Sequence, residues 1–141
     1  MKLSVKEKFC MTATLPQQWF NRASEDLTVA RLVFKENHLA HVCFLCQQCI
    51  EKSLKAYLLA KTAGYPRTHK LVDLLGECQK LDPDFARFSE DCLTIDQYYI
   101  PTRYPNGVPG SSSSGIPDKR EAEAALASAE AILQFVSSLL V

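Results

Sequence analysis

The stretch that decides the fold is AHVCFLCQQCIEKSLKAYLLAKTA, residues 40–63. It contains neither proline nor glycine, and its apolar side chains recur every three or four residues, which is the period of an α-helix. One side of such a helix carries Val42, Cys46, Cys49, Ile50, Ser53 and Tyr57, and the other side carries Gln48, Glu51, Lys52 and Lys55. The pattern predicts an amphipathic helix that packs its apolar side against other elements.

A helix before this stretch and a shorter one after it are also predicted. Thr14 is a suitable N-cap, and Pro16 suits the first turn of a helix whose apolar stripe runs from Trp19 to Phe34. Asn37 and the histidine after it are expected to end that helix. Beyond Gly64, Thr68 is expected to cap a short third helix rich in leucine.

Two further helices complete the prediction. Asp82–Pro83–Asp84 is expected to begin a fourth helix, with Phe85, Phe88, Cys92, Ile95 and Tyr99 facing inward. Asp118 followed by Glu121 is typical of a capping box at the start of the last helix. Because no segment has the pattern of a strand, the sequence predicts an all-α fold, an antiparallel up-and-down bundle of four to five helices.

The domain organisation follows from length and composition. A chain of 141 residues suits one domain, so we expect an N-terminal lead-in over residues 1–13 and one helical domain over residues 14–141. Residues 101–117 contain four prolines, three glycines and four consecutive serines. A connection of that length and composition inside a domain predicts a flexible loop.

Charge and hydropathy exclude several classes of protein. Lys and Arg total 16, as do Asp and Glu, which argues against a sequence-independent nucleic-acid coat protein but allows a local basic patch. No apolar run is long enough to span a bilayer. Lys6, Glu7 and Lys8 fall where a signal peptide would be apolar. We therefore expect a cytoplasmic protein without membrane contact, whose six cysteines are reduced.

Cysteines and histidines do not predict a metal site or a cofactor. Cys43, Cys46 and Cys49 have the CxxCxxC spacing of some iron–sulfur ligands. Inside a helix, however, the first and third point roughly 120° apart, so core packing is the favoured interpretation. The three histidines lack the spacing of a zinc site. No nucleophile–base pair can be named, and any catalytic residue is unknown.

A run of bases suggests where an anion would bind. Residues 52–70 contain five bases and no acid, namely Lys52, Lys55, Lys61, Arg67 and Lys70. A basic rim near the start of the third helix would suit a phosphate, since helix N-termini carry free N–H groups and a positive dipole end. The alternative is an ordinary solvated surface.

The segment DQYYIPTRYPNG, residues 96–107, is a second candidate. It contains Asp96, Tyr98, Tyr99, Arg103 and Tyr104. Arginine binds phosphate through a planar fork of donors, and tyrosine can stack on a base. Alternatively, Tyr98 and Tyr99 are core or interface residues, and Arg103 pairs with an acid.

Taken together, these motifs resemble the HEPN domain family (higher eukaryotes and prokaryotes nucleotide-binding). The first helix reads W-x-x-x-A-x-x-D-L-x-x-A from Trp19. The second reads F-x-x-Q-Q-x-x-E-K-x-L-K-A from Phe44, and a Thr68–His69 pair follows it. An R-Y-P turn stands at residues 103–105. In order and spacing the resemblance covers residues 17–140.

The resemblance implies a HEPN-like helical bundle that forms a homodimer with a polar groove near the interface. It also implies a partner, a small nucleotidyltransferase-fold protein, in a pairing of the toxin–antitoxin kind. Many members of the family are metal-independent endoribonucleases that carry a histidine four to six residues after an arginine. Here no histidine follows Arg103, and His69 comes only two residues after Arg67.

We therefore expect a module that binds a nucleotide or RNA phosphate without cleaving RNA. The ligand-binding candidates are Arg103, Tyr104, Gln48, Lys52, Lys55, Arg67, His69 and Asp96. One alternative is an endoribonuclease toxin with a rearranged site that uses Arg103 and His69. Another is a purely structural dimerisation or protein-interaction module, since amphipathic helices need no ligand.

Overall fold

The computed structural model describes residues 13–99 and 116–140. Its elements are α1 (Leu15–Lys35), α2 (Leu39–Thr62), α3 (Leu71–Leu81), a 3₁₀ segment (Pro83–Phe88), α4 (Ser89–Asp96) and α5 (Lys119–Leu139). These ranges include no strand, which confirms the all-α prediction. Most of the predicted lead-in and of the 101–117 loop lies outside the described residues.

Helices α1 and α2 form an antiparallel hairpin. Thr14 caps α1 as predicted, because its Oγ1 accepts a hydrogen bond from the Gln17 amide at 3.3 Å. The Gln17 side chain in turn accepts one from the Thr14 amide at 3.2 Å, which completes a capping box. Asn37 adopts a left-handed φ of 64°, so the chain reverses within residues 36–38.

Helix α2 is the central element and packs against α1, α3, α4 and α5. Its predicted apolar side is buried throughout, from Val42 to Tyr57. Glu51 and Lys55, which the pattern assigned to the polar side, are buried too, because neighbouring elements cover that side of α2 as well. The helix ends at Thr62, and its C-cap residue, Ala63, has a left-handed φ of 65°.

The start of α3 is capped by a residue distant in sequence. Thr68 Oγ1 accepts a hydrogen bond from the Lys70 amide at 3.1 Å, but it does not cap the first turn as the sequence predicted. The amides of Leu71 and Val72 donate instead to the carboxylate of Asp96, at 2.7 and 3.1 Å. The end of α4 and the beginning of α3 are therefore joined directly.

The region that was predicted as one fourth helix has two parts. Asp82 caps the 3₁₀ segment by accepting from the Asp84 amide at 3.0 Å, and α4 follows from Ser89. The prediction that Tyr99 faces inward is wrong, since the buried tyrosine is Tyr98. Helix α4 stops at Asp96, and the following turn changes which side chain points into the core.

Helix α5 completes the bundle against α2 and α1. Its predicted capping box is confirmed, because Asp118 Oδ1 accepts from the Glu121 amide at 2.7 Å and Glu121 Oε1 accepts from the Asp118 amide at 3.2 Å. Tyr98 also donates its hydroxyl to Glu121 Oε2 at 3.1 Å. Over the described ranges, no helix combines the length and apolar character needed to cross a bilayer.

Candidate functional site

Four side chains form a polar cluster on one side of α2. Gln47, Glu51 and Lys55 lie four residues apart and so share one face of the helix, and His69 reaches them from the loop before α3. We call these four residues the polar cluster. Its α2 members are buried, with Glu51 only 4% and Lys55 only 6% exposed.

The Glu51 carboxylate is the centre of this cluster. Its Oε2 lies 2.8 Å from Lys55 Nζ, and its Oε1 accepts from Gln47 Nε2 at 3.1 Å. His69 Nδ1 lies 3.2 Å from both carboxylate oxygens. A buried charge is stable only when it is paired and hydrogen-bonded, and Glu51 meets both conditions.

Lys55 is buried in an aromatic cage. Its Nζ lies 5.7 Å from the centroid of Trp19 and 5.0 Å from that of Tyr65, while the two rings meet edge to face at 5.6 Å. Cation–π attraction and the pairing with Glu51 together compensate for the lost hydration of the ammonium. Lys55 is thus a structural member of the cluster, screened from solvent.

His69 is the member that reaches the surface, with its side chain 62% exposed. One face of the imidazole stacks on Tyr99, at a centroid distance of 5.2 Å and an interplanar angle of 14°. Tyr99 stacks in turn on Phe44 at 6.2 Å. Gln47 Nε2 also donates to the His69 backbone carbonyl at 3.1 Å. The result is an exposed imidazole held in one orientation.

A pocket of about 300 Å³ adjoins the aromatic cage and is lined by Leu15, Gln18, Trp19, Arg22 and Lys52. Lys52 Nζ lies 2.6 Å from Asp26 Oδ2, so its charge is already balanced. Arg22 is exposed, and it pairs with no acid within residues 13–99 and 116–140. The cation that this pocket offers to a ligand is therefore Arg22.

The Asp96 carboxylate caps the N-terminus of α3. Burial raises the pKa of its carboxyl above the ordinary value, while the hydrogen bonds from Leu71 and Val72 oppose that shift. The first two amides of α3 are occupied by this carboxylate. A phosphate on this side of the molecule would consequently need other donors.

The structure brings some of the predicted site residues together. Lys55 and His69 meet in the polar cluster, and Gln48 touches it by donating to Gln47 Oε1 at 2.7 Å. Lys52 lies at the neighbouring pocket, and Arg67 is exposed in the loop before His69. Arg103 and Tyr104 lie outside the described residues.

Sequence reasoning missed three functional candidates, which are Gln47, Glu51 and Arg22. The four-residue spacing of Gln47, Glu51 and Lys55 was a usable signal for a shared face, but nothing local indicated that this face is buried. The CxxCxxC cysteines lie in the core, as predicted. Within the described ranges, no three side chains are grouped as metal ligands would be.

Comparison with known proteins extends these observations. Residues 16–139 match the model of the HEPN domain family. A protein of Methanocaldococcus jannaschii named "Putative toxin MJ1304" is 25% identical, and the match covers 86% of each chain.

Two solved structures have a similar backbone. The crystal structure of TT1696 from Thermus thermophilus has a TM-score of 0.74 and 32% identity, covering 87% of this chain and 96% of that one. The structure of ST0689, an archaeal HEPN homologue, has a TM-score of 0.73 and 27% identity, covering 91% and 99%. Since the family match spans the bundle from α1 to α5 and both backbones agree over most of their length, this chain belongs to the HEPN domain family.

Proposed function

We propose that the chain is a HEPN module that binds a nucleotide or RNA at the surface around His69 and works with a small nucleotidyltransferase-fold partner. The main support for the proposal is the His69 ring, which is exposed to solvent and is nevertheless held in one orientation by the buried Glu51 carboxylate and by Tyr99. A ring that is both exposed and held in one orientation can meet a ligand without first losing conformational freedom. A preorganised exposed imidazole is typical of a recognition surface.

The cations around His69 support the same assignment. Arg67 and Lys70 are exposed on either side of it in the chain, whereas Lys52 and Lys55 are already paired with Asp26 and Glu51. Phosphate contacts are therefore assigned to Arg67 and Lys70. Arg103 is proposed to add a bidentate contact to phosphate, and Tyr104 to stack on a base.

Fluorescence anisotropy with a labelled single-stranded RNA and with labelled ATP tests this proposal. We expect His69→Ala and Arg103→Ala to weaken binding by about tenfold or more, which is the effect of losing one good polar contact. Lys80→Ala is the matched control, because Lys80 is exposed on α3 and, among the described residues, pairs only with Glu77. Equal affinity of the His69 and Lys80 variants, or no binding by the wild type, would refute the proposal.

A ribonuclease activity is the second candidate function, and the Glu51–His69 pair favours it. An imidazole oriented by a carboxylate is an arrangement used for general acid–base catalysis, and the relative from Methanocaldococcus jannaschii carries the word toxin in its name. The test is incubation of purified protein with RNA in the presence of EDTA, together with expression in cells. Intact RNA and harmless expression would exclude this candidate, whereas cleavage that His69→Ala abolishes would establish it.

We also propose that the module forms a homodimer through the outer edge of α1. Val29 and Leu32 are exposed there, Leu32 by 56%, and their three-residue spacing places them side by side on the helix. Contiguous exposed apolar surface marks a contact site. Light scattering coupled to size exclusion should show a dimer that Leu32→Glu converts to a monomer. Leu93→Glu is the control, since Leu93 is 62% exposed on α4. A monomeric Leu93 variant beside a dimeric Leu32 variant would place the interface elsewhere.

The proposal of a nucleotidyltransferase-fold partner is based on the membership of this chain in the HEPN domain family. Its test is co-expression of the chain with the product of the neighbouring gene, followed by affinity purification of one of the two. A stable complex is expected if that product has the nucleotidyltransferase fold. Failure of such a protein to co-purify would contradict the pairing.

A further inference from the structure

The Glu51 carboxylate determines which nitrogen of His69 faces solvent. A carboxylate can only accept hydrogen bonds, and His69 Nδ1 lies 3.2 Å from both of its oxygens. Nδ1 must therefore carry a proton. In the neutral imidazole the other nitrogen, Nε2, is then unprotonated and presents a lone pair.

Nε2 lies on the ring edge opposite the one that contacts Glu51. The side chain is 62% exposed, while its Nδ1 edge rests on the buried carboxylate and Tyr99 covers one ring face. The Nε2 edge and the second ring face are therefore the parts of the ring left to solvent. Over residues 13–99 and 116–140, no side chain or amide hydrogen-bonds to Nε2. In its neutral form His69 thus offers solvent a fixed hydrogen-bond acceptor.

The rest of the polar cluster keeps this arrangement in place. Lys55 and Gln47 both donate to Glu51, which holds the carboxylate where Nδ1 meets it. Gln47 also donates to the His69 backbone carbonyl, and Tyr99 covers one ring face. Rotating the ring by half a turn would place a C–H group against the carboxylate and lose the hydrogen bond.

We propose that His69 Nε2 accepts a hydrogen bond from a ribose 2′-hydroxyl, so that this surface prefers ribonucleotides to deoxyribonucleotides. Phosphate oxygens are acceptors and cannot donate to this lone pair. The 2′-hydroxyl does donate, and it is the group by which a protein distinguishes RNA from DNA. This inference rests on the proposed function, and it specifies the ligand of that site.

The first test measures the tautomer directly and needs no ligand. At a pH where the imidazole is neutral, the nitrogen-15 chemical shifts of the two ring nitrogens show which one carries the proton. We expect His69 to be protonated on Nδ1 and unprotonated on Nε2. A His69 ring protonated on Nε2 would overturn the inference even if RNA binds.

The second test compares three oligonucleotides of one sequence, as RNA, as DNA with deoxyuridine, and as 2′-O-methyl RNA, which keeps the oxygen but cannot donate. The wild type is expected to bind RNA about tenfold more tightly than either analogue, the effect of one hydrogen bond. His69→Ala should bring the ratios near one. Arg67→Ala is the matched control and should weaken all three while leaving the ratios unchanged.

The outcomes separate this inference from the proposed function. No binding of any oligonucleotide would refute both. Binding of RNA with equal affinity for DNA or for 2′-O-methyl RNA would refute the 2′-hydroxyl contact and leave the binding module standing. A preference for RNA that persists in His69→Ala would assign the discrimination to another residue and would likewise overturn the inference.

Discussion

Lys55 Nζ lies 2.8 Å from Glu51 Oε2 inside the bundle, where both side chains are almost completely excluded from water. One more helical turn separates Glu51 from Gln47, which donates to the other carboxylate oxygen. Three polar residues on successive turns of the central helix therefore form a single hydrogen-bonded unit. The stability of the bundle and the orientation of His69 both depend on it.

The first prediction concerns the removal of the buried ammonium. Lys55→Met should lower the free energy of unfolding by about 3 kcal/mol, because breaking a buried ion pair leaves an uncompensated charge. Urea denaturation followed by circular dichroism measures this change.

Lys80→Met is the control for that measurement, since the Lys80–Glu77 pair is at the surface and such pairs contribute about 1 kcal/mol or less. The double variant Glu51→Leu/Lys55→Met should recover much of the lost stability, because apolar replacement removes the buried charge as well. A cost for Lys55→Met no larger than that for Lys80→Met would contradict the burial of the pair.

The second prediction concerns the cap that joins α4 to α3. Asp96→Ala should cost about 1–2 kcal/mol, as is usual for the loss of an N-cap acceptor. Amide hydrogen exchange at Leu71 and Val72 should accelerate, since both amides lose their acceptor. Glu123→Ala, at an exposed position in the second turn of α5, should change neither quantity. Unchanged exchange in the Asp96 variant would show that another group caps α3.

The pH dependence of stability follows from the same carboxyl. Burial raises the pKa of Asp96 in the folded protein above its ordinary value of 3.8. Between pH 3.8 and the folded-state pKa, the folded protein therefore binds more protons at this site than the unfolded chain does. The contribution of Asp96 to stability must therefore fall as pH rises through that window and become constant above it.

Comparison of the wild type with Asp96→Asn tests the sign of this effect, because asparagine does not titrate. The difference in free energy of unfolding, wild type minus variant, should decrease from pH 3.8 upward until the folded-state pKa is passed. A difference that instead increases as pH rises toward 3.8 would mean that the hydrogen bonds from Leu71 and Val72 outweigh burial.

The fourth prediction concerns the thiols. Burial raises the pKa of Cys43, Cys49 and Cys78 to about 12 and raises those of Cys46 and Cys92 as well. Because the thiolate is the reactive form, none of these five cysteines should react with a thiol reagent at neutral pH in the folded protein.

A Cys10→Ser variant isolates the five buried cysteines. We expect no rapid labelling of the native variant and five equivalents of labelling in guanidinium chloride. Rapid labelling of even one equivalent in the native protein would show that a core thiol is accessible.

The helices could be predicted from sequence because their signals are local. The Thr14–Gln17 and Asp118–Glu121 boxes each lie within one helical turn, and both are formed as expected. The buried stripe of α2 was equally predictable, since its period is a property of the stretch itself. The inward orientation of Tyr99 failed because it assumed that α4 continues past Asp96.

The candidate site was less predictable because its parts come from distant segments. Glu51 and Lys55 have the spacing of a solvent-exposed pair, and it is Trp19, Tyr65 and His69 that cover them. Asp96 was proposed as a ligand contact, yet its carboxylate is occupied by amides that lie 24 and 25 residues earlier. Periodicity contains no information about such partners, so only the folded arrangement distinguishes a binding residue from a cap.

The left-handed backbone conformation of Ala63 lowers the stability of the protein, and a substitution at this position can raise it. An alanine Cβ is strained at a φ of 65°, and glycine is the residue that helix C-termini favour there. Ala63→Gly should therefore raise the free energy of unfolding by roughly 0.5–1 kcal/mol, whereas Ala60→Gly, inside the same helix, should lower it by about as much. A background carrying glycine at position 63 would let disruptive variants of the polar cluster stay folded long enough to be assayed.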